Sequence, residues 1–223
     1  MHPQIKICGL TIPEQAADCA RLGADAIGLV FYPPSPRNLE LELAAEIAAA
    51  LPDRVRRVGV FVNPEWRLLA AAIDRCGLAV VQLHGSEPPE LAQRIQTEFS
   101  LKVIKALFTA KAPDLTAAGK YQVGGFLVEC GKGPLPGGNA ETWDWGAAAD
   151  FARRYPMVLA GGLSPVNVAQ AIQATLPAAV DASSGLESAP GHKDIDKVRR
   201  FIAAVRTTES FYKGQNATPD SVF

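Results

Sequence analysis

A lysine and a cysteine stand two residues apart in IKICGL, residues 5–10. In an extended strand successive side chains alternate faces, so Lys6 and Cys8 point one way while Ile5 and Ile7 point the other. A thiol at the C-terminal end of a strand, facing a polar mouth, can serve as a general base in its thiolate form. The remaining chemistry-bearing residues close other apolar runs: Arg37, Gln82 and His84, Lys105, Glu129, Gly161 and Gly162 of AGG, and Asp181 with Ser183, Ser184 and Gly185. Glu129 supplies a carboxyl group to complement Cys8. An acid and a base on opposite sides of a sugar can open its ring and move a proton with no metal or cofactor, and none is expected. No His/Cys/Asp set has metal-ligand spacing, and no Ser-His-Asp arrangement is legible.

Two glycine-containing segments, AGGLSP at 160–165 and DASSGLE at 181–187, have the composition of an anion cradle. Glycines let backbone amides approach an anion, and the Ser183 and Ser184 hydroxyls add donors. Lys6 lies one layer below Cys8, roughly 6.6 Å down the strand, where an unpaired ammonium is costly. Asp181 is its expected partner. The competing reading makes Lys6 or Lys105 a Schiff-base nucleophile.

The elements that must position these residues recur about every 25 residues. Eight strand-like runs, QIKIC, DAIGLVF, RRVGVFV, AVVQL, KVIKAL, GGFLVE, MVLAG and AAVDAS, alternate with helical patterns such as PEQAADCARLG, LELAAEIAAALP and DWGAAADFARRY, several of which open at Pro and close at Gly or Pro. Near-continuous apolar strands alternating with helices imply a parallel sheet covered on both faces, and eight units at this length predict a closed α/β (β/α)₈ barrel. A doubly wound open sheet is the alternative. The fifth connection is irregular, with a short helix expected near 113–118. In the barrel, active sites lie at the C-terminal strand ends, and phosphate is commonly held by the loops after strands seven and eight, where AGGLSP and DASSGLE fall. The spacing predicts one domain over 1–206 and a polar, flexible tail over 207–223 that docks through Phe211 and Tyr212; its NAT sequon carries no weight without a secretory signal.

With 223 residues, 48% hydrophobic and 20% charged, the chain can bury one large core. Its formal net charge of −1 gives no broad attraction to nucleic acid or an anionic membrane, so any anion must be held locally and a small ligand is expected rather than a polymer. No run approaches the roughly 20 apolar residues of a membrane span, and no signal-like segment opens the chain, so a cytoplasmic location is expected. The four cysteines are scattered and read as reduced thiols, Cys19 and Cys76 as core residues and Cys8 and Cys130 at strand ends.

The segments KICGLT, GADAIGLVFYPPSPR, VGVFVN, VQLHG, PGG followed by WDW, LAGGL, and VDASSGLE followed by PGHKD occur in an order and spacing that resemble the phosphoribosylanthranilate isomerase family of tryptophan biosynthesis. The resemblance implies a cofactor-free Amadori rearrangement with Cys8 as general base. It implies that Arg37 holds the anthranilate carboxylate, that Gly161, Gly162, Ser183, Ser184 and Gly185 hold the phosphate, and that Gln82 and His84 line the pocket; Asp181 is counted with the substrate-binding residues. The chain departs from the family where Glu129 stands in place of an aspartate general acid, and where GGNA at 137–140 replaces a GGTG-like loop. The extra methylene moves the carboxyl by about 1 Å, a scale that matters by about a hundredfold. Rival readings are a histidine-pathway phosphosugar isomerase, which wants an aspartate at position 8, a Schiff-base aldolase, and an inactive barrel serving as a binding module. A monomer or homodimer is expected.

Overall fold

The computed structural model describes residues 2–133, 142–213 and 221–223. The eight runs form the strands β1 (Gln4–Cys8), β2 (Ala26–Phe31), β3 (Arg56–Phe61), β4 (Val80–Leu83), β5 (Lys102–Phe108), β6 (Gly125–Glu129), β7 (Met157–Leu159) and β8 (Ala179–Ala182). They pair in parallel in sequence order, and β1 closes on β8 in register Lys6↔Asp181. The expected closed barrel, not the open sheet, is what forms.

Helices α1 (Pro13–Leu22), α2 (Leu41–Ala49), α3 (Trp66–Cys76), α4 (Pro89–Phe99), α5 (Ala149–Ala152), α6 (Val168–Thr175) and α7 (Ile195–Arg206) surround the strands. Sequence punctuation explains their limits. Pro13 opens α1 and Gly23, at φ 108°, closes it in the left-handed region. Asp194 caps α7 by accepting from Asp196 and Lys197 N–H groups, both at 3.0 Å. That helix buries Val198, Phe201, Ile202 and Val205 against the barrel. The fifth connection becomes a 3₁₀ turn over Leu115–Lys120, capped by Asp114 at 2.9 Å. The helix expected through DWGAAADFARRY contracts to a 3₁₀ turn at Trp145–Ala148 followed by the four-residue α5.

Strand parity divides the side chains. Cys8, Ala26, Val30, Val58, Val60, Val80, Ile104, Ala106, Leu127 and Val158 form a cluster inside the barrel, whereas Ile5, Ile7, Ile27, Leu29, Val103 and Leu107 pack in the layer beneath the helices.

Three features depart from the pattern read in the sequence. After β8 a 3₁₀ turn (Ser184–Leu186) leads into a small antiparallel pair, β9 (Glu187–Ala189) and β10 (His192–Lys193). The tail read at 207–223 docks through Phe211 and Tyr212 as expected, but the flexibility read there does not hold at its two described ends. Residues Glu209–Lys213 form a helix, α8, in which Tyr212 is buried and its hydroxyl donates to Pro177 O at 2.6 Å. Residues 221–223 close the N-terminal end of the barrel: Val222 and Phe223 are buried against the inner cluster, and their N–H groups donate to Gln4 Oε1 at 2.7 and 3.2 Å. Isolated apolar residues behind a polar stretch carry no periodic signal. The NAT sequon and the GGNA loop lie outside the described residues.

Candidate active site

Cys8 ends β1 on the cavity wall at the C-terminal mouth, with Lys6 one layer beneath it. Space for the sulfur comes from β2: a Cβ on Gly28 would lie 2.6 Å from Cys8 Sγ and 3.1 Å from Lys6 Cε. Lys6 is fully buried and donates to Asp181 Oδ2 at 2.7 Å, so it is half of an ion pair as β1–β8 closure requires. Burial pulls the Lys6 ammonium down, but Asp181 and Cys8 outweigh it and hold Lys6 charged. Burial pushes the Cys8 thiol above its ordinary range; Lys6 pulls it back and Asp181 opposes that pull. The thiol is therefore neutral near pH 7, and the ammonium beside it is the main group favouring the thiolate.

Glu129, at the end of β6, faces the same cavity. Gln82 Nε2 donates to His84 Nδ1 at 2.8 Å, which leaves the ring proton on Nε2, 3.4 Å from Glu129 Oε1. The ring is steadied by an edge contact with Phe108, centroids 5.8 Å apart. Two buried acceptors, Gln82 Oε1 and Asp181 Oδ1, have no partner among the described residues. Buried acceptors are nearly always paired, and both of these residues line the cavity.

The loops after β7 and β8 meet at the mouth. Gly161 and Gly162 adopt φ of 87° and 68°, which only glycine takes without strain. The carbonyls of Ala160, Gly161 and Gly162 are drawn away by Trp143 Nε1 at 3.0 Å, Trp145 Nε1 at 3.3 Å and Asn167 Nδ2 at 2.9 Å. The Gly161 and Gly162 N–H groups donate to no described residue. A Cβ on Gly185 would sit 2.1 Å from Leu163 O, so the two loops are in direct contact. Amides without a described acceptor, with the neighbouring carbonyls engaged elsewhere, are available to donate to an anion, and Ser183 and Ser184 border the same cavity.

Arg37 also reaches this cavity, and it is already partnered. Its Nε and Nη2 donate to Glu187 Oε1 and Oε2 at 2.8 and 2.6 Å, and Lys193 Nζ donates to Glu187 Oε1 at 2.7 Å. Glu187 and Lys193 lie beyond the residues singled out by sequence, and their one local signal is an acidic and a basic residue flanking the APG turn of ESAPGHK. Lys105 requires a correction. It shares the outward parity of Val103 and Leu107, away from the cavity, and is bound by Glu87 at 2.9 Å and by the carbonyls of Leu83 and Gly85 at 3.2 and 2.7 Å. A lysine with its donors so engaged, facing the helices, is structural and no Schiff-base candidate.

A closed parallel barrel with a carboxyl group, a thiol, two serines and acceptor-free glycine amides lining the cavity at its C-terminal mouth defines a (β/α)₈-barrel enzyme. Residues 5–204 match the family model described as N-(5'-phosphoribosyl)anthranilate (PRA) isomerase. The N-(5'-phosphoribosyl)anthranilate isomerase of Desulfatibacillum aliphaticivorans is 50% identical over 213 residues, covering 96% of this chain and 97% of that protein. The crystal structure of phosphoribosyl anthranilate isomerase from Thermotoga maritima superimposes with a TM-score of 0.83 at 38% identity, covering 92% of this chain and 99% of that one. A phosphoribosyl anthranilate isomerase in complex with reduced 1-(o-carboxyphenylamino)-1-deoxyribulose 5-phosphate superimposes with a TM-score of 0.80, also at 38% identity, over 92% of this chain and 99% of the other. The chain belongs to the phosphoribosylanthranilate isomerase family.

Proposed function

We propose that the chain converts N-(5-phosphoribosyl)anthranilate to 1-(2-carboxyphenylamino)-1-deoxyribulose 5-phosphate in tryptophan biosynthesis, with Glu129 as general acid and Cys8 as general base. The observation that carries this reading is that Cys8 and Glu129 line one cavity together with Arg37, Gly161, Gly162, Ser183, Ser184 and Gly185. The ligand of the related complex, a reduced form of the product, has the same two anionic ends.

In this reading Glu129 protonates the furanose ring oxygen. The C1′–O bond breaks and the anilino nitrogen lone pair forms the iminium. The Cys8 thiolate then removes the C2′ proton, and those electrons flow into the iminium to give an enolamine. Proton return to C1′ and loss of the 2′-hydroxyl proton yield the ketone, so no external electron sink is needed. Lys6 stabilises the thiolate from below. Each unit by which burial raises the thiol costs about tenfold in thiolate population, but the thiolate that forms is a correspondingly stronger base. His84 keeps the longer Glu129 side chain directed into the cavity, and the unpaired Gln82 Oε1 and Asp181 Oδ1 accept from sugar hydroxyls.

The test follows the fluorescence of freshly generated phosphoribosylanthranilate. The protein accelerates its loss and Cys8→Ala abolishes the effect; undiminished turnover in that variant refutes the base assignment.

A further inference from the structure

We infer that Glu187 is a positioning residue that aims Arg37 at the substrate's aryl carboxylate, with Lys193 keeping the cluster's charge positive. The inference deepens the proposed reading and rests on its assignment of Arg37.

A guanidinium has a side edge, Nε with one terminal nitrogen, and an end edge, the two terminal nitrogens, and each can grip a carboxylate in parallel. Glu187 occupies the side edge through Nε and Nη2. Nη1 makes no hydrogen bond to a described residue, and the Nη1/Nη2 end edge is left for a second carboxylate. The arginine stem is fixed as well. A Cβ on Gly9 would meet Arg37 Cδ at 2.3 Å and Ser183 Oγ at 3.1 Å, so the stem runs directly over β1's closing turn. Held at the stem and along one edge, the guanidinium has a single direction in which to present the other.

Charge counting explains Lys193. An Arg37–Glu187 pair alone is neutral and would attract another carboxylate weakly. Lys193 shares Glu187 Oε1, so the three side chains carry a formal charge of +1, with Glu187 holding the Lys193 ammonium against the burial that pulls it down. Without Glu187 the two cations would repel and the guanidinium would turn away. Lys193 Nζ also reaches Ser183 O at 3.3 Å, so the cluster that directs Arg37 is anchored on the loop after β8.

The experiment compares Arg37→Ala, Glu187→Gln, Glu187→Asp and the double variant R37A/E187Q. A glutamine has one acceptor oxygen, and its amide hydrogens meet the guanidinium hydrogens. Glu187→Gln is expected to raise KM for phosphoribosylanthranilate about tenfold or more with kcat changed far less. Glu187→Asp recovers most of the loss, and R37A/E187Q is no worse than Arg37→Ala alone, while the inhibition constant of inorganic phosphate stays within about twofold in Glu187→Gln. An unchanged KM in Glu187→Gln when Arg37→Ala is impaired overturns the inference, as does a double variant whose losses multiply. A lower melting temperature in Glu187→Gln with wild-type KM also overturns it, because Glu187 would then only support the fold. An unchanged KM in Arg37→Ala instead removes the Arg37 assignment itself.

Discussion

At the N-terminal end of the barrel Gln4 Oε1 accepts two backbone N–H groups and Lys102 Nζ reaches the carbonyls of Ser221 and Phe223, whereas at the C-terminal end Gln82 Oε1 and Asp181 Oδ1 are buried and unpaired. Val222 and Phe223 fill the first end with hydrocarbon. The second end gathers Lys6, Asp181, Arg37, Glu187, Lys193 and Glu129 in a largely buried cluster. Burial of charge and unpaired acceptors costs stability, so the same scaffold carries its strain where loops can be shaped to a ligand and its compensating packing at the far end. Changes at the C-terminal end should therefore register as rate, and changes at the N-terminal end as melting temperature.

The sharpest break would come at Cys8. Cys8→Ser keeps the shape but supplies no base of comparable acidity, and turnover of phosphoribosylanthranilate is expected to fall about a thousandfold with little change in thermal unfolding. Retained activity would mean that the mouth does not hold the chemistry assigned to it. Next in size is Glu129→Gln, which cannot donate as an acid and should lose about a hundredfold in kcat, while Glu129→Asp keeps the function and tests the reach of the side chain.

A smaller effect separates the thiol from its surroundings by pH. Because burial raises the Cys8 thiol, the reactive thiolate is the minor form at neutral pH and its population grows about tenfold per unit as pH rises toward that raised value. Iodoacetamide alkylation of Cys8, corrected with Cys8→Ser, should climb through the neutral range and beyond, and Lys6→Met should shift the curve to still higher pH because the ammonium is lost. A plateau already reached below pH 7 would show an ionised thiol and contradict the environment described. The least effect belongs to the opposite end: Phe223→Ala should lower the melting temperature by about 3–6 °C, for about 1–2 kcal/mol of lost packing, and leave kcat within about twofold. A large activity loss there would erase the distinction between the two ends.

How far the site could be read depended on local pattern. The parity of Lys6 and Cys8 followed from strand alternation alone, and the pairing of Lys6 with Asp181 followed from closure of β8 on β1. Lys105 was misplaced because KVIKAL is apolar on both faces, and such a run does not say which face turns inward. Glu187 and Lys193 escaped notice because β9 and β10 are too short to show a period, and their partnership with Arg37 spans 150 residues of chain. The docking of Val222 and Phe223 had no local signal, since it depends on what the barrel floor leaves open.

Gly28 has no reactive atom, yet it decides where the sulfur of Cys8 can stand. A single methyl group on β2 would displace the thiol while every ionisable residue in the chain stayed the same. The placement of that thiol is thus written partly in hydrogen atoms on a neighbouring strand, and a survey restricted to functional groups would pass over the position that sets it.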